Sequence, residues 1–219
     1  MVTPRYREID WSDGYRCCTT LEVCKNRIIV GGDDGQIEIY NSSDLHRQTV
    51  LIYGNTEAAV TCLQCTCTEI IAGYVDGSVC VWDIQRGILV QTLVTADATG
   101  DRTSSVCMRW KHSKLVVGAD VGTIRIWENV DYSFTLQCNW NARDGRNPLR
   151  IQDGDFNEDY IILKPTTGSG APSLYIHIYS FNGELFCPIY INEITTNGST
   201  REQSYHMLQG RHVENLGHF

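Results

Sequence analysis

Three stretches of this chain repeat one pattern of glycines and aromatic residues at a nearly constant spacing. They are IIVGGDDGQIEIYN at 28–41, IIAGYVDGSVCVWD at 70–83 and LVVGADVGTIRIWE at 115–128. Equivalent positions advance by 42 and then by 45 residues. A period of about 20 to 50 residues is the signature of a repeat architecture, so it constrains the fold more than any single motif does. A weaker fourth copy is LYIHIYSFNGELF at 174–186.

Within each repeat, apolar residues recur at every second position, as Val79 and Val81 do. This period is typical of strands with one buried face. Each unit contains a tight corner, Asp76-Gly77 in the second copy, which favours a hairpin because glycine adopts positive φ. Four short antiparallel strands in each repeat predict an all-β fold, a β-propeller with about four recognisable four-stranded blades. Structural roles are predicted for the corner residues and closing aromatic residues, namely Asp34, Asp76, Gly35, Gly77, Gly122, Tyr40, Trp82 and Trp127.

The dipeptides that close the repeats resemble those of the WD-repeat propeller family. They are Tyr40-Asn41, Trp82-Asp83 and Trp127-Glu128. The stretch SDGYRCCTTLEVCKNRIIVGG and the short link within TCLQCTCTEIIAGY are most similar to the propellers of F-box/WD-repeat proteins, the substrate receptors of cullin-type ubiquitin ligases. The resemblance covers roughly residues 5–140 well and 141–195 loosely. We find no F-box and no room for one before residue 5.

Two features depart from this family. The Gly-His pair that opens its blades is replaced by Gly54-Asn55 and Gly100-Asp101, so we do not expect its full hydrogen-bond network here. Family members usually have seven blades, roughly 300 residues at about 40 to 45 per blade. We therefore expect an incomplete propeller, from a fragment, a truncation or a splice product. The predicted divisions are an N-terminal segment with a possible closing strand (1–16), four blades (17–54, 55–100, 101–147 and 148–195) and a tail or the start of a further blade (196–219).

Composition and charge narrow the function classes. The formal net charge of -8 argues against nucleic-acid binding over the whole surface, because such binding depends on clustered cations. Arg143, Arg146 and Arg150 form one local basic stretch, which leaves an RNA-contacting propeller as an alternative. The sequence contains neither a membrane-spanning run nor a signal peptide, so we expect a soluble cytoplasmic protein, or a nuclear one, with reduced cysteines.

Neither metal binding nor catalysis is predicted. Cys62, Cys65 and Cys67 include a spacing used by zinc sites, but no second ligand pair lies nearby. The slot shared by Cys62 and Cys107 is better explained by a small residue packed between blades. We find no phosphate-binding loop and no nucleophile beside a base, so we predict no cofactor, no small-molecule substrate and no enzyme activity. A propeller hydrolase with a metal in its channel remains an alternative.

Partner-binding residues follow from the resemblance to WD-repeat proteins. Their upper face is shaped mainly by the residue before the corner aspartate and by residues at the start of the innermost strand. The first set corresponds to Asp33, Val75 and Asp120, and the second to Thr19, Thr61 and Val106. These slots lack the arginines that would grip a phosphorylated segment. We therefore expect a protein or peptide partner that presents Lys or Arg beside an apolar residue.

These observations predict a non-catalytic protein-interaction scaffold. Its finer role is a substrate receptor of an F-box/WD-type ubiquitin ligase, and the main alternative is a regulatory scaffold with no link to ubiquitin. An F-box encoded upstream would favour the first of these roles.

Overall fold

Strands make up every element of the part of the chain that the structure describes. The computed structural model describes residues 17–54, 58–93, 105–144, 147–166, 174–192 and 204–206. Within these ranges the strands form four large antiparallel sheets, one for each sequence repeat, and a two-stranded ribbon. The predicted all-β propeller fold is therefore confirmed.

Blades 1 and 2 are simple four-stranded meanders, in which each strand pairs with the next along the chain. Blade 1 consists of β1 (Cys18–Cys24), β2 (Arg27–Gly32), β3 (Gln36–Asn41) and β4 (Arg47–Ile52). Blade 2 consists of β5 (Val60–Cys65), β6 (Glu69–Tyr74), β7 (Val79–Asp83) and β8 (Ile88–Leu93).

Blades 3 and 4 follow the same order and are joined by a short ribbon. Blade 3 consists of β9 (Ser105–Lys111), β10 (Lys114–Ala119), β11 (Thr123–Val130) and β12 (Ser133–Asn141). The ribbon consists of β13 (Arg143–Asp144) and β14 (Asn147–Pro148). Blade 4 consists of β15 (Ile151–Phe156), β16 (Tyr160–Pro165), β17 (Leu174–Ser180), β18 (Leu185–Asn192) and β19 (Ser204–His206).

The fifth strand of blade 4 is a feature that the sequence did not predict. β19 pairs with β18, the fourth strand of blade 4, whereas the meander ends at the fourth strand in the other three blades. Residues 204–206 lie within the segment predicted as a tail or the start of a further blade. An outer strand presents unpaired N–H and C=O groups, and β19 satisfies those of β18.

Apolar side chains fill the spaces between successive blades. One cluster joins Ile29 and Ile37 of blade 1 to Tyr74 and Trp82 of blade 2. A second joins blades 2 and 3, and a third joins blades 3 and 4. The innermost strands β1, β5, β9 and β15 contact one another in that order. The closing aromatic residues Tyr40, Trp82, Trp127 and Tyr179 are all at least 94% buried (exposed fractions 6%, 3%, 3% and 2%).

Two register irregularities recur in all four blades. The pairing of the two outer strands shifts at the closing aromatic residue, between Ile39 and Tyr40 in blade 1 and at equivalent positions in the others. The pairing of the two inner strands shifts near the start of the first strand, as between Cys18 and Thr20. Such bulges bend a strand and redirect a side chain. Their recurrence indicates that each repeat bends at the same two positions.

Candidate protein-binding face

The corners of the central hairpins lie at one end of the blades, which we call the corner face. Gly35, Gly77 and Gly122 have φ of 79°, 82° and 92°, which is the left-handed region that glycine tolerates. Each donates its N–H to the carbonyl three residues earlier, at 3.2, 3.0 and 2.9 Å. Three blades therefore present the same tight turn at this face.

The corner aspartates hold these turns rather than facing a partner. Asp34 Oδ1 accepts the N–H of Gln36 at 3.1 Å, and Asp76 Oδ1 accepts that of Ser78 at 3.0 Å. The Ser78 hydroxyl also donates to Asp76. Blade 3 has Val121 in this position, which cannot accept a hydrogen bond and is 41% exposed. The corner of blade 3 is thus more apolar than the other two.

The residues before the corners are positioned by a repeated backbone contact. The N–H of Asp33 donates to the carbonyl of Cys17 at 3.0 Å, and that of Val75 to Ala59 at 2.9 Å. Thr166 makes the same bond to Arg150 at 2.7 Å, with the same separation along the chain. Thr166 is therefore the blade 4 member of this set. Sequence comparison missed it because the last repeat step is longer and the segment after Thr166 is rich in Gly, Pro and Ser.

Asp33, Val75 and Asp120 differ in what their side chains offer. Val75 is 48% exposed and presents an apolar surface. Asp33 is partly exposed, and its Oδ1 accepts the backbone N–H of Cys17 at 2.9 Å. Asp120 Oδ1 is buried and has no hydrogen-bond partner among the described residues. The set therefore places an apolar residue between two blades that carry carboxylates.

The second predicted set coincides with the recurring bulge of the innermost strand. Thr19 falls between Cys18 and Thr20, where the register shifts in blade 1. Thr61, Val106 and Gln152 fall at the same shift in the other blades, so Gln152 completes the set in blade 4. The side chain of Val106 lies outside the described part of the structure. A bulge is a change in the pairing of two strands, and the apolar pattern of one strand does not specify that pairing.

Thr19 also has a structural role. Its hydroxyl oxygen lies 2.9 Å from the carbonyl oxygen of Gly31 and 2.6 Å from that of Val60. The single hydroxyl proton can be donated to one of these carbonyls at a time, and Val60 belongs to the neighbouring blade. Thr19 therefore links blades 1 and 2, and its substitution would affect packing as well as binding.

Two arginines lie at the blade 4 side of the corner face. Arg143 and Arg150 are exposed, and Arg146 lies outside the described residues. The β13–β14 ribbon is fixed beside the blade 3 corner, because Ala142 donates to the Gly122 carbonyl at 2.8 Å. The Tyr179 hydroxyl donates to the carbonyl of Arg143 at 3.1 Å. The corner face thus carries carboxylates on blades 1 to 3 and guanidinium groups near blade 4.

A row of polar side chains crosses the four innermost strands. Glu22, Gln64, Arg109 and Asp155 occupy equivalent register positions. Gln64 Oε1 accepts the N–H of Trp110 at 3.3 Å. Arg109 forms ion pairs with Asp153 at 3.3 Å and with Asp155 at 3.9 Å. Sequence reasoning did not single out this row, although its members align in the repeats.

The pKa values of the row reflect burial and pairing. Burial raises the pKa of Glu22, and the positive charge of Arg109 only partly opposes this. Burial would also raise the pKa of Asp155, but the Lys111 ammonium, the N–H of Phe156 and the charge of Arg109 together hold it below its usual value. Arg109 and Lys111 are therefore neutralised by groups of the protein itself.

The cysteines and the other titratable groups form no metal centre in the part of the chain that the structure describes. Cys62 packs against the cluster between blades 2 and 3, and burial raises its pKa to about 11. No helix able to cross a membrane occurs among the described residues.

Comparison with protein families identifies a propeller in the first half of the chain. The family model described as the Vps8 beta-propeller matches residues 17–120, just under half of the 219 residues. A search of curated proteins found no match.

Solved structures share the fold at low sequence identity. The designed Ika4 protein matches with a TM-score of 0.58 and 19% identity, over 80% of this chain and 99% of that one. Raptor from Chaetomium thermophilum matches with a TM-score of 0.63 and 15% identity, over 82% of this chain and 16% of that one. A chain of the Mitotic Checkpoint Complex matches with a TM-score of 0.63 and 12% identity, over 84% of this chain and 62% of that one.

These similarities and the four blades define a β-propeller fold. This chain spans less than two thirds of the Raptor and checkpoint chains that it matches. At such identities the likeness concerns the fold alone.

Proposed function

We propose that this chain is a protein-interaction scaffold whose corner face binds a partner segment with a Lys or Arg beside an apolar residue. The observation that carries the proposal is that the Val75 side chain is 48% exposed. The equivalent positions before the corner in the flanking blades are occupied by Asp33 and Asp120. Loops on a rigid propeller favour binding of this kind. An apolar side chain of the partner would cover Val75, and its cation would be attracted by the carboxylates.

The test uses a random peptide library displayed against the purified protein. We expect the selected peptides to contain Lys or Arg next to an apolar residue. Val75→Glu should weaken their binding about tenfold, because a charge replaces the apolar contact. Val130→Glu is the matched control, since Val130 is 53% exposed at the opposite end of its blade. Equal loss in both variants, or selection of acidic peptides, would contradict the proposal.

The double variant Asp33→Arg with Asp120→Arg tests the electrostatic part separately. We expect it to weaken the selected peptides and to make the remaining binding less sensitive to salt, because the attraction between opposite charges is removed. Unchanged affinity for every selected peptide would remove Asp33 and Asp120 from the binding site.

A finer proposal is that the scaffold acts as the substrate receptor of a ubiquitin ligase. Its support is the resemblance to F-box/WD propellers, which includes the short link between β5 and β6, residues 66–68. We expect the gene to encode an F-box upstream and cullin-type ligase subunits to co-purify with the full product. Partners without ligase subunits would favour the regulatory scaffold.

A further inference from the structure

Three cysteines from two blades meet at the end of the innermost strands opposite the corner face. Cys24 ends β1, Cys65 ends β5, and Cys67 follows in the turn to β6. The Cys24 thiol donates to the carbonyl of Thr66 at 3.2 Å, so it lies over the residue between the other two cysteines. Cys24 is also near enough to Cys65 to contribute to the raised pKa of the Cys65 thiol. All three are free thiols in this structure.

The three thiols differ in access and in charge environment. Cys67 is exposed, whereas Cys24 and Cys65 are partly buried. The nearby Cys67 side chain raises the pKa of Lys25, and Arg27 donates to the Cys67 carbonyl at 3.3 Å. Because Cys67 is the exposed member of the three, it is the thiol that an oxidant in solution reaches first. In contrast, burial and the neighbouring Cys24 raise the pKa of Cys65 to about 12, so Cys65 is a poor initial nucleophile.

We propose that this cluster is a redox site in which peroxide oxidation forms a disulfide between Cys24 and Cys65 and thereby joins blade 1 to blade 2. The Cys67 sulfur attacks the peroxide and becomes a sulfenic acid, with release of one water. The Cys65 thiol displaces the hydroxyl group of the sulfenic acid as a second water, which gives a Cys65–Cys67 disulfide. Cys24 then attacks the Cys65 sulfur and releases the Cys67 thiol.

The overall reaction is balanced and reversible. Two thiols lose two electrons and two protons, and hydrogen peroxide is reduced to two waters. A thiol reductant restores the starting state by exchange. The product would cross-link strands β1 and β5, which already contact each other, so blades 1 and 2 would be joined covalently until the disulfide is reduced. A cross-link of this type restricts the unfolded chain and should raise the melting temperature.

The direct test is a peptide map of the whole chain after treatment with hydrogen peroxide, without reduction. We expect a linked peptide pair containing Cys24 and Cys65, two hydrogens lighter than the separate peptides, which dithiothreitol separates. The melting temperature of the oxidised protein should be higher than that of the reduced protein. Cys24 and Cys65 that both remain open to alkylation, with Cys67 over-oxidised or joined between molecules, would overturn the proposal.

Single variants separate the roles of the three thiols. Cys24→Ser and Cys65→Ser should each abolish the link between blades, whereas Cys67→Ser should slow its formation roughly tenfold without preventing it. Cys138→Ser is the control, because the Cys138 thiol donates to the Phe181 carbonyl at 3.4 Å in another part of the fold. A cross-link that persists in Cys65→Ser, or one formed at the same rate in Cys67→Ser, would contradict this sequence of steps.

Discussion

The Lys111 ammonium nitrogen lies 2.7 Å from Asp155 Oδ1 and so joins the innermost strands of blades 3 and 4. Lys111 also donates to the carbonyl of Phe156 at 2.7 Å. Arg109 adds a weaker contact to the same carboxylate at 3.9 Å. The two blades are therefore connected by charges near the centre of the propeller and by the apolar cluster between them.

The ion pair of Asp155 predicts how the free energy of unfolding depends on pH. The pKa of Asp155 is lower in the folded protein than its usual 3.8, so the ionised carboxylate stabilises the fold above about pH 4. That contribution is lost as the pH falls through the folded pKa. Asp155→Asn should lower the free energy of unfolding at pH 7 by about 0.5 to 1 kcal/mol, because the pair is partly exposed. In urea unfolding, the difference in free energy of unfolding between the wild-type protein and Asp155→Asn should be smaller at pH 3 than at pH 7.

Glu22 is expected to behave in the opposite way. Burial raises its pKa, so its ionised form at neutral pH costs folding free energy. Glu22→Gln should therefore leave stability unchanged or increase it at pH 7, and the increase should shrink as the pH falls through the raised pKa and the wild-type carboxylate becomes protonated. A loss of stability in urea unfolding at pH 7 would instead show that attraction to Arg109 outweighs burial.

The blade 3 corner should tolerate no side chain at Gly122. A Cβ atom there would lie 2.5 Å from the carbonyl oxygen of Leu149 and 2.9 Å from that of Ala142, and φ is positive. Gly54→Ala is the control, since Gly54 has φ of 59° with nothing within 4 Å of its Cβ position. We expect about 1 to 2 kcal/mol of destabilisation for the control, from backbone conformation alone. Gly122→Ala should cost clearly more, measured as a lower urea midpoint and displaced amide signals in the β13–β14 ribbon.

The sequence predicts the repeated parts of this fold better than its exceptions. The period of two and the corner glycines correctly indicate the strands around Gly35 and Gly77, because local rules govern both. β19 could not be predicted, because a three-residue strand depends on the free edge of β18 rather than on its own residues. For the candidate face, the resemblance to WD-repeat proteins predicted Val75 but not Thr166 or Gln152, which were recognised only from the backbone bonds and bulges of blade 4.

Removing the corner aspartate should lower the free energy of unfolding, and introducing one at the blade 3 corner should raise it. Asp76→Ala removes the acceptor for the N–H and hydroxyl of Ser78, and it should cost about 1 kcal/mol, the usual net value of such bonds. Val121 occupies the equivalent position in blade 3 and is 41% exposed, so Val121→Asp would offer the N–H of Thr123 the acceptor that Asp34 and Asp76 offer in their turns. The Thr123 hydroxyl already donates to Asn141 Oδ1 at 2.9 Å. We expect a gain of up to about 1 kcal/mol, because an exposed apolar residue is exchanged for a turn hydrogen bond. Urea unfolding of both variants measures the effect, and Val121→Glu is the control, since its longer side chain adds the charge without the geometry of the turn. Equal effects of Val121→Asp and Val121→Glu would show that charge, rather than the turn hydrogen bond, determines stability at this corner.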